Sequence, residues 1–568
     1  MSAVPRQYER QAQTFPTLSN EQIGRIARHG RMRQTRRGEL LYDQGTEAPS
    51  FFVVISGALD IVRPNKNQED PITVLGPGQF TGEVNLVTGR RSLARARVIE
   101  AGEVLEIDGD ALRALVQTDS ELSELFMRAF ILRRMNLIEQ DWGDVVLIGS
   151  NYSASTLRLR EFLKRNGHPH SYIDLEVDPA AEGFLQQYGV GVEDVPVVIC
   201  RGDVVLRNPT FEQVADCLGF NIAIDVEAVR DVLVVGAGPA GLAAAVYAAS
   251  EGLDVLVVET HAPGGQAGAS SKIENYLGFP TGISGQALAG RAFTQAEKFG
   301  ASVAIARSAA RLRCTERPFS VELSTSTRDV VRARSVIIAS GAQYRKLPLE
   351  RLADFEGAGV YYAAGPMEAQ VCGGEEVIVV GGGNSAGQAA TFLAGTEKNP
   401  KTGEEVPRTK HVHMLVRSTG LAQSMSRYLI RRIEESPHIT LHTQTEIEAL
   451  EGDGHLERVR WRCSASSTVE TRPIRHVFSM TGAVPNTVWV GSCVALDDIG
   501  FVKTGSDITP DELTAAHWPL QRPPYLLETS VPGVFVVGDA RAGSVKRVAS
   551  AVGEGAMCVQ LVHKALAE

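Results

Sequence analysis

Two glycine-rich turns carry most of the chemistry that the sequence could support. VVGAGPAG at 234–241 sets Gly236, Gly238 and Gly241 between an apolar run and a small-residue helical stretch. VVGGGNSAG, about 145 residues further on, does the same with Gly381, Gly383, Asn384, Ser385 and Ala386. Such turns let backbone amides approach a pyrophosphate at a helix N-terminus, where the peptide dipoles sum to about half a positive charge. The strand after the first turn ends in Glu259, placed to accept the ribose hydroxyls of an adenosine. The strand after the second, HVHMLVRS, ends in Arg417, whose guanidinium can pair bidentately with a 2′-phosphate. NADPH is therefore favoured over NADH, with a solvated surface arginine as the alternative.

Elements of several kinds must position these residues. The chain has 568 residues, more than one hydrophobic core usually organises, so several domains are expected. From Leu40 to Ile107, short apolar segments punctuated by Gly57, Gly76, Gly78, Gly82 and Gly102 read as a small β-barrel or jelly roll, with a helical stretch from Ala111 to Gln140 after it. From DVVLIGS onward, strands and helices alternate over about 80 residues as an α/β unit. The two glycine turns follow. GTEKNPKTGEEVPRTK, from Gly395 to Lys410, reads as an exposed loop.

Composition narrows the function classes. A net charge of −10 leaves no basic excess for nucleic acid, and no long uncharged apolar run suggests a membrane span. The N-terminus is too polar for a signal peptide, so a cytoplasmic protein is expected. The seven cysteines (Cys200, Cys217, Cys314, Cys372, Cys463, Cys493, Cys558) are far apart and odd in number. They show no zinc spacing, no CxxC and no disulfide framework, and read mostly as buried or inert thiols. No metal site is expected.

Beyond the first turn, the sequence resembles thioredoxin reductase over about 340 residues. GGQAGASSKIENYLGFP is similar to that family's GGQ…IENYPGF segment, ASGA at Ala339 to Ala342 to its ATGA turn, GAVPNT to its GxxPNT, and KRVASAVGEG to the segment whose helix N-terminus faces the flavin. The resemblance implies FAD contacts at Gly265, Gln266, Asn275, Ser340, Gly341, Ala342, Arg547, Val548 and Ala549. Near the C-terminus, VPGVFVVGDA puts Gly538 and Asp539 where such flavoproteins hold the ribityl and pyrophosphate part of FAD. The family's HRRxxxR pattern is only partly kept, since Val416 and Ser418 flank Arg417. A homodimer is implied by the resemblance alone.

The redox dithiol of that family is absent. Aligning its YCATC with YYAAGPM puts Ala363 and Pro366 at the two sulfur positions, and neither can form a thiolate. No catalytic residue is therefore identified. The α/β unit repeats the loss. DVVLIGSNYSASTLRLREFL and DVPVVI resemble a glutaredoxin-like thioredoxin fold with Pro196 as its cis-proline, but Ser153, Ala154, Ser155 and Thr156 stand where its CxxC should be.

GPGQFTGEVNLVTGRRSLARARVIEAGEVLEI resembles the phosphate-binding cassette of cyclic nucleotide-binding domains. Glu83 would accept the ribose 2′-hydroxyl and Arg91 would pair with the cyclic phosphate of cAMP or another cyclic nucleotide, with amides around Gly82 and Ser92 completing an anion nest. A purely structural barrel is the alternative. No helix-turn-helix follows, so a transcription factor is not expected.

The expected architecture is α/β and multidomain. It comprises a cyclic nucleotide-binding-like barrel (1–142), a thioredoxin-like domain without CxxC (143–225), and a Rossmann-like FAD domain (229–360 and 476–568) with an inserted NAD(P)H domain (361–475). The expected function is hydride transfer from NADPH to flavin with an unidentified, atypical electron acceptor, regulated through the barrel. Bacterial ferredoxin-NADP reductases of the thioredoxin reductase type share the scaffold and lack the dithiol, so a ferredoxin, flavodoxin or quinone stays open as acceptor. A non-catalytic redox or nucleotide sensor stays open as well.

Overall fold

A computed structural model of the chain describes residues 12–568, except 48, 66–67, 83–85, 87–90, 140–144, 152, 179–189, 192–193, 201–203, 222–223, 271 and 399–403. The N-terminal part is a two-sheet β-sandwich. Strands β1 (Arg31–Gln34), β2 (Leu40–Tyr42), β3 (Phe51–Val54), β4 (Ala58–Asn65), β5 (Gln68–Leu75), β6 (Arg95–Glu100) and β7 (Glu103–Ile107) form sheets ordered β1-β7-β3 and β2-β6-β4-β5. Helices α1 (Gly109–Thr118) and α2 (Ser120–Glu139) follow, separated at Asp119. Phe51, Phe80, Phe126 and Phe130 pack edge-on and stacked between the helices and the sheet.

The next part is a four-stranded sheet ordered β11-β10-β8-β9, from β8 (Val145–Gly149), β9 (Ser171–Asp174), β10 (Val197–Cys200) and β11 (Val204–Arg207). Helix α3 (Ala154–Arg165) lies between β8 and β9, and α4 (Phe211–Cys217) closes the unit. The helix expected between β9 and β10 falls largely outside the described residues. The Val195–Pro196 peptide bond is cis, as expected for Pro196.

The third part opens with β12 (Val229–Val235), α5 (Pro239–Ser250), β13 (Val255–Glu259), α6 (Gly285–Lys298), β14 (Ser302–Ile305), β15 (Ala309–Arg313), β16 (Phe319–Leu323) and β17 (Val330–Ile338). The sheet runs β14-β13-β12-β17-β16-β15. Parallel pairing of β13, β12 and β17 buries both faces toward their C-terminal ends, which explains the apolar runs VLVV of β13, VLVV of β12 and VII of β17. The core of this sheet is continuous with that of the preceding unit: Leu147, Leu159, Phe162 and Phe220 share one cluster with Val232, Ala244 and Val257.

The chain leaves through β18 (Ala342–Tyr344) into a second parallel sheet. That part contains β19 (Val360–Tyr361), α7 (Pro366–Val371), β20 (Glu376–Val380), α8 (Asn384–Leu393), β21 (Thr396–Lys398), β22 (Glu405–Pro407), β23 (His411–Leu415), α9 (Arg427–Glu435), β24 (Ile439–His442), β25 (Thr445–Glu451), β26 (Arg458–Cys463), β27 (Thr468–Arg472) and β28 (His476–Ser479). Its sheet order is β19-β28-β20-β23-β24. The segment from Gly395 to Lys410 is not simply a loop, because β21 and β22 pair antiparallel within it.

The chain returns through β29 (Ala483–Pro485), which pairs with β18, and then β30 (Val534–Val536) joins β17 in parallel. Helix α10 (Val548–Ala567) packs on α5 so closely that a side chain on Gly555 would collide with the Ala240 carbonyl. The small residues PAGLAAAVYAAS of α5 make that approach feasible.

Candidate functional site

The first glycine turn joins β12 to α5. Gly236 has φ of 106°, a left-handed conformation that favours glycine, and a Cβ there would strike Ala339. Gly238 caps α5 and Pro239 takes the first helical position, where no N–H is needed. In front of this cap the space is open: a Cβ on Gly238 would come no nearer than 4.0 Å to Gly265 Cα. Glu259 closes the crook at the end of β13. Its Oε2 accepts Ala237 N at 2.7 Å and its Oε1 accepts His261 N at 2.9 Å, so the carboxylate is buried and tied to the turn.

Of the other expected flavin contacts, Gly265, Ser340 and Gly538 lie against this turn or the helix after it, whereas Asn275 does not. Gly265 lies against Gly238, and Gln266 Nε2 donates to the Ala342 carbonyl. Ser340 Oγ donates to the Asn486 carbonyl at 2.7 Å, while Asn486 Nδ2 donates back to the Ser340 carbonyl at 3.0 Å. Gly538 N donates to Glu554 at 2.7 Å. Burial raises the Asp539 carboxyl above its ordinary value, with Lys546 opposing the shift. Arg547 caps α10 and is exposed, with Val548 and Ala549 in the first turn. Asn275 is exposed, and its neighbour Glu274 is engaged by Arg432 of α9 at 2.7 Å. The open cap, buried carboxylate and convergent glycines fit the phosphates and ribose of a dinucleotide.

The second turn repeats the plan. Gly381 has φ of 137° beside the Met480 carbonyl, Gly383 caps α8, and Ala386 is buried where the helix meets its sheet. No atom would meet a Cβ on Gly383 within 4 Å, so this cap also faces open space. Asn384 Oδ1 accepts Ser426 N at 2.7 Å. Ser385 hydrogen-bonds Tyr344, whose hydroxyl pKa is raised chiefly by burial. Arg417 stands 80% exposed, 3.6 Å from Glu446.

At the expected dithiol, Gly365 caps α7 and Pro366 is its first residue, with Glu368 accepting Gly365 N at 2.8 Å. Burial raises the Glu368 carboxyl. Cys372 ends this helix fully buried, and burial pushes its thiol far up. In the preceding unit, Ser153 caps α3 and its Oγ lies 2.9 Å from Ser155 Oγ. The far end of α3 is docked against the first glycine turn's side: Arg165 Nη2 donates to the Gly265 carbonyl at 2.6 Å and Asn166 Nδ2 to the His261 carbonyl at 3.0 Å.

The sandwich encloses a largely apolar cavity of about 150 Å³, lined by Tyr42, Ile61, Leu75, Gly82, Ser92 and Arg133 among others. Arg91, next to Ser92, does not line it. Its Nη2 pairs with Glu47 at 2.7 Å, and its stem packs beside Gly219 of the neighbouring unit. Glu83 lies outside the described residues.

The cysteines bring a further correction. Cys314 and Cys493, 179 residues apart, form a disulfide. Sequence spacing missed it because the intervening chain folds as the inserted sheet and returns to its point of departure. Among the described residues, no group of three His, Cys, Asp or Glu side chains could hold a metal, and no helix is long and apolar enough to cross a membrane.

Residues 230–555 match the family described as pyridine nucleotide-disulphide oxidoreductase. The chain belongs to that family. As a member it is an oxidoreductase, and membership implies FAD and a pyridine nucleotide as its cofactors. Residues 32–119 match the cyclic nucleotide-binding domain. The pyridine nucleotide-disulphide oxidoreductase part is 32% identical to the thioredoxin reductase of Treponema pallidum over 329 residues, 58% of this chain and 94% of that one. It is 29% identical to the thioredoxin reductase of Ureaplasma parvum over 331 residues, 58% and 94% of the two chains. Among solved structures, T. acidophilum thioredoxin reductase superposes with a TM-score of 0.50 at 26% identity, covering 59% of this chain and 98% of that one. The Lactococcus lactis thioredoxin reductase shares the fold at a TM-score of 0.50 and 24% identity, covering 60% and 99%.

Proposed function

We propose that this oxidoreductase passes hydride from NADPH to FAD and delivers the electrons to an acceptor other than a disulfide reached through a thiol relay. The observation that carries this reading is the start of α7, where Ala363 precedes the cap and Pro366 opens the helix, so that no thiol stands there. Cys372 is no substitute: a buried thiol with a strongly raised pKa supplies no thiolate at neutral pH.

When bound, NADPH and FAD supply the hydride chemistry themselves, and the chain's task is placement. In this reading Glu259 accepts the adenosine ribose hydroxyls, the α5 and α8 amides hold the two pyrophosphates, and Arg417 holds the 2′-phosphate. Tyr344, bonded to Ser385, orients one site against the other. The α3 unit acts as a dithiol-free thioredoxin-like strut, and the sandwich as a regulatory ligand domain. Arg91 must leave Glu47 before it can meet a cyclic phosphate. A homodimer is proposed on the thioredoxin reductase likeness.

Anaerobic stopped-flow mixing of the FAD-loaded chain with NADPH tests the reading. Fast bleaching of the flavin absorbance, without NADPH-dependent reduction of thioredoxin at ordinary rates, is expected. Reoxidation assays with ferredoxin, flavodoxin, quinone and oxygen then find the acceptor. Thioredoxin reduction at ordinary rates overturns the proposal, and no bleaching with NADPH or NADH favours a sensor.

A further inference from the structure

We propose that Cys314 and Cys493 are a reversible redox modification site, a clamp whose oxidation state sets how firmly the flavin-binding loops are held. Cys314 directly follows β15 on the outgoing part of the chain. Cys493 follows the short 3-10 helix Val488–Val490 on the returning part. The bond therefore fastens together the two halves of one domain across the whole inserted sheet.

The returning half reaches the flavin side through a short relay. Asn486 N donates to the Gly341 carbonyl at 3.0 Å, and its side chain and carbonyl exchange bonds with Ser340. Trp489 Nε1 then donates to the Asn486 carbonyl at 3.1 Å. Cys493 N donates to the Val490 carbonyl at 3.1 Å, and Cys493 Sγ lies 3.4 Å from the Leu312 carbonyl. The 3-10 helix is thus anchored upstream by the Ser340–Gly341 turn and downstream by the disulfide. The same turn abuts Gly236 at the first glycine turn.

Accessibility separates this pair from the three fully buried thiols, while Cys217 and Cys463 are half-buried as well but lie in different units, at the ends of α4 and β26. Cys200, Cys372 and Cys558 are fully buried, whereas Cys314 and Cys493 are half-buried beside exposed Arg313, Thr315, Gly491 and Ser492. A thiolate can approach the pair from that side. Oxidation takes two electrons and two protons from the two thiols to a hydroperoxide, which leaves as an alcohol and water while the S–S bond forms. A dithiol reverses it by attack on one sulfur, passes through a mixed disulfide, and departs as its own disulfide.

The flavin readout rests on the proposed FAD reading, so the experiment carries a second readout that does not. The full chain is incubated in dithiothreitol of graded oxidised-to-reduced ratio, or with hydrogen peroxide after reduction. Differential alkylation with peptide mapping then follows Cys314 and Cys493, while FAD release on dilution and hydrogen exchange over residues 486–496 are measured. The pair is expected to cycle. Reduction should speed FAD release several-fold and accelerate exchange over 486–496. C314S/C493S should behave as the reduced chain does and ignore dithiothreitol, while C463S should follow the unmodified chain. Two thiols that peroxide cannot join, or a reducible bond with exchange over 486–496 unchanged, would overturn the clamp. A cycling pair with altered exchange but no bound FAD would uphold the clamp and sink the flavin reading instead.

Discussion

At the first glycine turn the second strand ends in a buried carboxylate, Glu259, with both oxygens engaged by backbone amides. At the second turn the strand runs out to Arg417, 80% exposed beside an exposed Glu446. The same strand, turn and helix are thus finished in opposite ways. A site whose recognition group is buried and pre-ordered suits a cofactor that stays, and one whose recognition group waits in solvent suits a cosubstrate that exchanges each turnover. The difference lies in one residue at the end of each second strand, because the glycines themselves serve both sites equally.

Glu259→Ala should break the comparison most severely. Losing the two charge-assisted bonds that the proposed role gives the carboxylate with the ribose hydroxyls, each worth roughly 1.5–3 kcal/mol, predicts FAD binding weaker by about a hundredfold or more, read from flavin fluorescence on titration. Unchanged FAD affinity would mean that the first turn does not depend on its acid. Arg417→Ala should act on the other side, lowering kcat/KM for NADPH by about ten- to a hundredfold while leaving NADH nearly unaffected. Equal losses with both cofactors would remove the 2′-phosphate role.

A pH titration sharpens the contrast between the two sheets. Burial lowers the pKa of His413, His442 and His476 in the second sheet, against His261 at the first. A folded-state histidine pKa below its unfolded value costs nothing above about pH 6.5, and the unfolded chain gains protons first as pH falls. Stability should therefore drop below about pH 6.5 by up to roughly 1.4 kcal/mol per pH unit per group. The loss should be larger in the second sheet, which holds three such histidines, measured by hydrogen exchange between neutral and mildly acidic buffer. The smallest effect belongs to Cys372→Ala, which should leave flavin reduction by NADPH unchanged and cost about 1 kcal/mol of stability through lost packing.

The two turns were legible from sequence because every part of each lies within one local strand, turn and helix. Gly236 to Glu259 and Gly381 to Arg417 need no distant partner to be recognised. Legibility ended where the answer depended on long-range closure. The Cys314–Cys493 bond needs 179 residues to return on themselves. Arg91 was expected at a ligand because its local cassette fits one. In the structure it pairs with Glu47 of an earlier loop and packs beside Gly219 of a different unit, neither of which its local cassette could announce. The ribbon inside Gly395–Lys410 was missed for another reason: TEK and EVP are polar and short, so no alternation marks them as strands.

The antiparallel ribbon of β18 and β29 brings Tyr344 directly opposite Ala483, so the outward and homeward crossings of the chain are neighbours. Everything between those two residues is topologically a single long excursion from a hairpin. Replacing it by a two-residue Asn-Gly turn would leave an ordinary hairpin on an otherwise continuous flavin domain. The inserted sheet is thus joined to the rest through a single pair of adjacent crossings, and the strands that carry it need no gap in their own sheet to admit it.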